Sequence, residues 1–385
     1  MQVVFTDGSP GSVAELDTAL RSALAGGDTL LPLDPRNPKS AELREAMAPG
    51  EPVEPDTAVI IPTSGSTGEA KGVLLSASAL VASAHATHAR LGGPGRWLLA
   101  TPANYVGGLQ VLTRAHLAGT DPVVLDISAG FRPEAFAEAT RELLREPGPH
   151  YTALVPTQLA RLLDAGGSAA HSAAAYDAIV LGGARLDDDL AARARAAGVR
   201  AVSSYGMSET ASGCVYDGVP LDGVRVRLGE GDRIELAGEA LTHGYRLRPD
   251  LTAQVLSADG WFRTGDVGRI HDDGTLTVLG RVDDMINTGG VKVPAGGVES
   301  VLTSHDAVRA ACVVGLPDAE WGQRIAAAVV ADPELAQVPF DELRALVKQH
   351  LGRAAVPKLL RGVPELPLIG PGKVDRAAVR ALLTT

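Results

Sequence analysis

Cysteine is almost missing from this sequence: only Cys214 and Cys312 occur among 385 residues. Two thiols so far apart supply no disulfide framework and no thiolate metal site, and they suit a reducing compartment. Aromatic residues are scarce as well, at 4%. No long uncharged apolar run is present, so nothing reads as a membrane-spanning helix. Runs of lysine or arginine are also lacking, and 35 basic against 46 acidic side chains leave a formal charge of −11. Nucleic acid and anionic membranes are therefore poor partners, and any anionic ligand has to be held by local chemistry. The opening residues, MQVVFTDGSPGSVAE, carry no basic leader. The expectation is a cytoplasmic protein without a secretory signal. What the chain does have is length, 45% hydrophobic residues and 44 glycines. That size predicts two domains, one of them large.

Apolar strands alternate with helical periodicity along most of the chain. Val3–Phe5 reads as a strand, followed by a helix toward Leu24 with a capping box at Ser12 and Glu15. Residues 34–56 read as a loop or short helix, Ala58–Ile61 as a strand and Ser76–Arg90 as a helix. Strands at Val123–Leu125, Tyr151–Val155 and Ile179–Leu181 precede helices from Pro133, Pro156 and Asp187. This alternation predicts α/β layers with a mostly parallel sheet. Ser168–Ala175 reads as a mobile surface loop. Between Val224 and Leu279 the pattern changes to short strands divided by Gly and Asp turns. A boundary falls near Arg281, and a compact α+β segment follows, ending in the turn-like IGPGKVDR.

The stretch PTSGSTGEAKGV, Pro62–Val73, has no bulky side chain before Val73. It is not a Walker loop, because Gly72 rather than Ser or Thr follows Lys71. Gly65 and Gly68 nonetheless let backbone N–H groups converge, Thr63, Ser64, Ser66 and Thr67 add hydroxyls, and Lys71 adds charge. Such a loop suits a polyphosphate. Set between strand and helix it has a phosphate-site layout, although Gly/Ser runs also serve as plain linkers.

SSYGMSET, Ser203–Thr210, puts a ring and a carboxylate at a strand's end, where a base could stack on Tyr205 and Glu209 could hold Mg²⁺. An ordinary loop would look similar. In WFRTGDVGRI, Asp266 sits in a Gly-flanked turn and could accept the hydroxyls of a ribose or simply close an Asx turn. GRVDDMINTGG supplies Arg281 for a ribose or phosphate and Asp283 for a backbone swing, or else a charged linker. Lys373 in GPGKVDR looks like an exposed turn lysine. His85 and His88 could share a helix face, but they lack the neighbours of a metal site. No G-x-S-x-G or H-E-x-x-H occurs, which disfavours a hydrolase.

In this order, TSGSTGEAKGV, YGMSET, WFRTGD, GRVDDMI and GKVDR resemble the adenylate-forming superfamily of acyl- and aryl-CoA ligases, adenylation domains and luciferases. VPTQLARLL and LGGARL look most like the o-succinylbenzoate–CoA ligases of menaquinone biosynthesis. The early position of the phosphate loop points the same way, as if the usual N-terminal region were shortened. The resemblance implies the adenylate-forming fold. Residues 1–281 would be a large N-terminal α/β domain with the ATP and acid sites, and residues 282–385 a small mobile α+β domain carrying the catalytic lysine.

The implied reaction uses ATP, Mg²⁺ and CoA to turn a small carboxylic acid into acyl-AMP and then a thioester. The rivals are another acyl- or aryl-CoA ligase, an enzyme loading a carrier-protein thiol, and a non-catalytic nucleotide binder. Lys373 would bridge the acid and the α-phosphate, residues Thr63 to Lys71 would grip the outer phosphates, and Glu209 with Thr67 would hold the metal. Tyr205 would lie against adenine, with Gly183, Ser204, Gly206, Met207, Ser208 and Thr210 around the nucleotide. Asp266 would hold the ribose with support from Arg281. Asp283 would be the hinge that brings Gly289 and Gly290 to the thiol channel. For the acid, the likeness nominates Tyr105, Gly107, Thr157, Gln158, Gly182, Gly183 and Ser204, with Arg114 or Arg185 as the cation. Membrane insertion and nucleic acid are not implied, and homo-oligomerisation is left open.

Three positions depart from the family pattern. Tyr105 stands where many relatives carry histidine, Gly297 where a glutamate is customary, and PLIGPGK lacks the arginine and threonine that often precede the lysine's glycine.

Overall fold

A serine and a proline decide where the first helix begins. Pro10 occupies its first turn, the Ser9 side chain accepts from the Ser12 N–H, and the helix runs Pro10–Leu24. Ser12 and Glu15 therefore lie inside this helix instead of capping it. The φ of Pro10 is already set for the first turn, which favours the earlier start. Ser12 Oγ donates instead to Asp7 Oδ1 at 2.8 Å.

The computed structural model describes residues 1–64, 70–332, 339–369 and 373–384, with the main chain only at Ser64, Ile369 and Lys373. The chain forms two compact units. The first comprises residues 1–186, 190–227 and 235–263, the second residues 187–189, 228–234 and 264–385.

The first unit is organised by a seven-stranded sheet. Its parallel part runs in the order Ala201–Met207, Ala178–Leu181, His150–Leu154, Arg96–Leu99, Val123–Val124. Ser212–Tyr216 and Val219–Pro220 extend it antiparallel. The helices Pro133–Leu143 and Pro156–Ala165 follow their strands as the periodicity predicts. Residues 168–175 do not form the predicted loop, because Gly167–Ala174 is a helix. Ala169 and Ala173, four residues apart, are both buried. Alanine is the best helix former, so a run of small residues is sufficient to close a short helix onto the core.

A second sheet of the first unit has five strands, in the order Gln2–Phe5, Leu30–Leu33, Val59–Ser64, Ala70–Leu75, Gly244–Tyr245. Val59–Ser64 and Ala70–Leu75 are antiparallel, with Thr63 opposite Lys71 and Ser64 opposite Ala70. The glycine loop thus joins two strands of a hairpin and does not run directly into a helix. Helix Ala77–Leu91, capped by Ser76, starts only after the second strand. The reason is the buried run Gly72–Leu75, which has the length and character of a strand. Gly65, Ser66, Thr67 and Gly68 lie outside the described residues.

In the second unit a five-stranded sheet contains Val291–Pro294, Met285–Thr288, Gly322–Ala331, Val308–Asp318 and, paired on Gly322–Ala331, Leu359–Gly362. Helices Ala295–Thr303 and Phe340–Leu351 cover its core of Val298, Leu302, Val313, Ile325, Leu343 and Val347. Two short strands, Leu368–Ile369 and Lys373–Val374, pair before the last helix, Arg376–Thr384. Among the described residues no helix is long and apolar enough to cross a membrane.

Candidate active site

The hairpin register and the end of a parallel strand bring two charges together in the first unit. Lys71 leaves the second hairpin strand, and Glu209 lies in the 3₁₀ turn Ser208–Thr210 that follows strand Ala201–Met207. Lys71 Nζ donates to Glu209 Oε1 at 2.7 Å and to Tyr245 Oη at 3.1 Å. Tyr245 Oη donates to the same Oε1 at 2.7 Å. The Glu209 side chain is only 8% exposed, so this pair is better shielded from water than a surface ion pair. Burial, then the charge of Glu209, hold the Tyr245 phenol well above its ordinary range, so it stays a proton donor.

Two glycines make the Glu209 turn sterically possible. A Cβ on Gly206 would lie 2.1 Å from the Ser212 carbonyl oxygen, and one on Gly213 would lie 1.9 Å from Ser204 Oγ. Ala211 and Ser212 take the left-handed φ values of 49° and 96° that turn the chain back into strand Ser212–Tyr216. The Ser83 hydroxyl donates to Ala211 O at 2.9 Å and ties this turn to helix Ala77–Leu91.

Loops at the carboxyl ends of parallel strands are the usual place for ligands in such sheets, and the residues nominated for the acid gather there. Gln158 caps its own helix by accepting from the Val155 N–H at 2.9 Å, and donates to Ala100 O at 2.8 Å. Gly182 N donates to Leu154 O at 3.1 Å. Gly183 has a φ of +80°, and a Cβ there would stand 3.3 Å from Val155 Cγ1. Thr157 is exposed, as are Arg185 and Tyr105, which is the N-cap of helix Val106–Leu117 and 45% exposed. Gly107 lies in the first turn of that helix. Ser204, Tyr205, Gly206 and Met207 are on the strand itself and not in a loop beyond it, with Ser204 opposite Tyr216 and Tyr205 opposite Val215.

Arg114, the other nominated cation, is 1% exposed. Its Nη2 reaches Tyr216 Oη at a long 3.5 Å, and its guanidinium stands 5.1 Å from the Trp97 ring centroid. It makes no ion pair with a carboxylate among the described residues, and burial lowers its pKa. His85 is exposed, whereas His88 is buried, and desolvation followed by the charge of Arg114 pushes it from 6.5 to about 4. An unfolded imidazole takes its proton near 6.5, so the stability from neutral His88 is complete above that pH. It should fall by at most about 3 kcal/mol as pH drops from 6.5 to about 4. Urea midpoints for the wild type and His88→Gln check this: the variant should lose much of that acid limb.

In the second unit Asp266 lies within strand Phe262–Ile270, not in a turn. It faces Arg281 in register, with Arg281 Nη1 3.6 Å from Asp266 Oδ1. Gly265 is required beside it, because a Cβ there would come 2.7 Å from Arg281 Nη2. Asp283, in the turn Val282–Asp284, is 3.5 Å from Arg281 Nη2. Gly289 and Gly290, at φ 58° and 82°, form the two-residue turn between Met285–Thr288 and Val291–Pro294. Gly297 has room for a side chain, since a Cβ there would meet nothing nearer than 3.9 Å. Glu299, two residues on, accepts from the Val313 N–H at 2.8 Å and pairs with Arg376 at 2.9 Å. Lys373 pairs with Ile369 through the main chain.

Sequence reasoning missed Tyr245. It sits in a two-residue strand, and its partners Lys71 and Glu209 are 174 and 36 positions away. No local spacing announces it. Among the described residues no group of three or more His, Cys, Asp and Glu could hold a metal. A single carboxylate still fits Mg²⁺, which usually takes one or two carboxylates and fills the rest of its octahedron with water and phosphate oxygens. Thr67, the other predicted metal ligand, lies outside the described residues. Burial pushes both cysteine thiols up to about 12, so neither supplies a nucleophile at neutral pH.

Residues 2–271 match the model of the AMP-binding enzyme family, and residues 297–373 that of the AMP-binding enzyme C-terminal domain. A probable 2-succinylbenzoate–CoA ligase of Mycobacterium tuberculosis (strain ATCC 25618 / H37Rv) is 45% identical over 373 residues, 96% of this chain and 95% of the relative. A 2-succinylbenzoate–CoA ligase of Geobacillus sp. (strain WCH70) is 32% identical, covering 85% of this chain and 69% of the relative. Among solved structures, o-succinylbenzoate CoA synthetase (MenE) from Bacillus subtilis in complex with the acyl-adenylate intermediate OSB-AMP matches with a TM-score of 0.74. It is 26% identical and covers 95% of this chain and 80% of that one. With a family model spanning most of its length and a relative this similar from end to end, the chain belongs to the AMP-binding, adenylate-forming enzyme family.

Proposed function

We propose that this chain is an ATP-dependent 2-succinylbenzoate–CoA ligase of menaquinone biosynthesis. The likeness at 45% identity over 96% of the chain supports the reaction class. An oxygen of the acid's carboxylate attacks the α-phosphorus of ATP, and the bond to pyrophosphate breaks. The sulfur of CoA then attacks the acyl carbon, AMP leaves, and the thiol proton goes to solvent.

In this reading residues 1–281 hold ATP and the acid, and residues 282–385 carry Lys373. Thr63 to Lys71 hold the outer phosphates. Tyr205 lies on adenine, Asp266 and Arg281 hold the ribose, Asp283 is the hinge, and Gly289 with Gly290 admit the thiol. Lys373 neutralises charge between the carboxylate and the α-phosphate. Glu209 would hold Mg²⁺, which when bound spreads charge away from the phosphate oxygens. Each preorganised contact of this kind typically contributes about 10²–10³ in rate.

The observation that carries the choice of acid is Arg114. 2-Succinylbenzoate has two carboxylates; one is activated, and the carboxylate on the ring remains ionised. A buried guanidinium without a carboxylate partner among the described residues is the complement such a group needs.

A panel of acids read with CoA present tests this. 3-Benzoylpropanoate keeps the ketone and the reacting arm but lacks the ring carboxylate. Its kcat/KM is expected to be about 10²–10⁴ below that of 2-succinylbenzoate, because removing one partner of a buried charge pair costs about 3–5 kcal/mol. Arg114→Met should abolish the difference by lowering only the better substrate. Equal rates across the panel in the wild type would remove the assignment of the acid and leave adenylation intact.

A further inference from the structure

The segment from Thr242 to Arg246 holds both members of the Lys71–Glu209 pair. At one end the Thr242 N–H donates to the Glu209 carbonyl at 2.7 Å, and at the other the Arg246 N–H donates to Gly72 O, beside Lys71, at 2.8 Å. Strand Gly244–Tyr245 lies between them, in register with Leu74 and Val73. The segment is itself fastened from behind. The Arg246 side chain, 0% exposed, donates to the carbonyls of Met47, Ala48, Glu51 and Pro52 and pairs with Glu54 at 2.8 Å. The Tyr245 N–H donates to Thr252 Oγ1 at 3.0 Å. A tyrosine that only filled space would need a partner for its hydroxyl, but not a main chain tied to the two residues that the hydroxyl touches.

We propose that Tyr245 is a positioning residue that holds Glu209 Oε1 and so leaves Oε2 for the divalent cation that accompanies ATP. The proposal rests on the reading of Glu209 as the carboxylate for that cation. Lys71 Nζ and Tyr245 Oη both bond Oε1, and no described residue bonds Oε2. The two donors differ in what else is asked of them. Lys71 also has a phosphate to grip, and once it moves there Oε1 depends on the phenol alone. The phenol keeps its proton at neutral pH, so it can donate to the carboxylate with or without the lysine. Lacking that bond, the carboxylate could turn freely, and ordering it would weaken the binding of the cation. The Tyr245 ring centroid lies 4.5 Å from Lys71 Nζ, a contact that phenylalanine would keep.

The test uses the full chain with ATP and no acid, so that binding is read without turnover. Free Mn²⁺ is followed by electron paramagnetic resonance. Tyr245→Phe removes the hydroxyl and keeps the ring, and Mn²⁺ should bind about 10–100-fold more weakly. Calorimetric ATP affinity in EDTA should stay within about threefold, since Lys71 keeps its carboxylate partner and the ring. Glu209→Gln should weaken Mn²⁺ by a similar factor. Adding Tyr245→Phe to it should cost less than about twofold more, because the hydroxyl acts through that carboxylate. A tyrosine with a merely structural role would lower metal-free ATP binding as much as Mn²⁺ binding and would add its full effect to Glu209→Gln; either result would overturn the proposal. If Glu209→Gln weakens Mn²⁺ and Tyr245→Phe does not, the proposal alone falls; if Glu209→Gln changes nothing, the metal reading of Glu209 falls with it. Should Tyr245→Phe fail to fold, a wild-type crystal with ATP and Mn²⁺ decides. The anomalous peak is expected at Oε2 with the phenol still on Oε1, and a peak at Oε1 with the phenol displaced would overturn the proposal.

Discussion

Glu209→Gln is expected to lower acid-dependent ATP–pyrophosphate exchange by about 10²–10³ while leaving the fold intact. The amide is nearly isosteric with the carboxylate and can still accept the Tyr245 hydroxyl, which reaches Oε1 at 2.7 Å. What it cannot supply is charge. Lys71, whose side chain is 25% exposed, would lose its anionic partner at 2.7 Å, and a divalent ion would lose its protein ligand. Raising Mg²⁺ should therefore recover part of the lost rate in the variant and little in the wild type. A double variant with Lys71→Met should be no slower than the worse single variant, because residues that act as a unit are not additive. Exchange within threefold of wild type at every Mg²⁺ concentration would take Glu209 out of the site.

The second large effect belongs to Lys373→Ala. Formation of acyl-AMP should fall by about 10²–10³, while thioester formation from acyl-AMP supplied ready-made should change little. On the proposed role the half-reactions separate, because the charge that Lys373 would offset develops at the α-phosphorus during adenylation and is absent when the thiol attacks the acyl carbon. The substitution should be mild for the fold. Lys373 opens a two-residue strand paired with Leu368–Ile369, and alanine can take the same backbone hydrogen bonds. Equal losses in both half-reactions would contradict the assigned role.

Much of the α/β layering was legible because periodicity is a local property. The strands predicted at 123–125, 151–155 and 179–181 appear at Val123–Val124, His150–Leu154 and Ala178–Leu181. The misreadings occur where local signals compete. Ser12 and Glu15 have the spacing of a capping box, but Ser9 and Pro10 start the helix earlier. Gly265 and Asp266 look like a turn, but the glycine is there to admit the Arg281 side chain beside a continuous strand. The hairpin at Lys71 reads as a path from loop to helix because its second strand, Ala70–Leu75, runs into helix Ala77–Leu91 through the single cap residue Ser76, with no turn signal between them.

The site follows the same division. Lys71 and Glu209 stand out through their motifs although 138 positions separate them. Tyr245 belongs to no such pattern and becomes visible only through the sheet that carries it. Arg114 was nominated as a cation by likeness alone. Nothing in LTRAHLAG reveals that its guanidinium is buried, since that follows from packing two helices against Trp97.

The Lys71–Glu209 contact bears on how two ligands sense each other. An ammonium and a carboxylate that neutralise one another must be separated before either can serve a new partner, and the first ligand to arrive bears all of that separation. On the proposed roles, a nucleotide that drew the lysine away would expose the carboxylate for a cation, and a cation at the carboxylate would free the lysine for phosphate. Affinities linked in this way are reciprocal, so each ligand would strengthen the other by the same factor, and neither alone would show the affinity the two reach together.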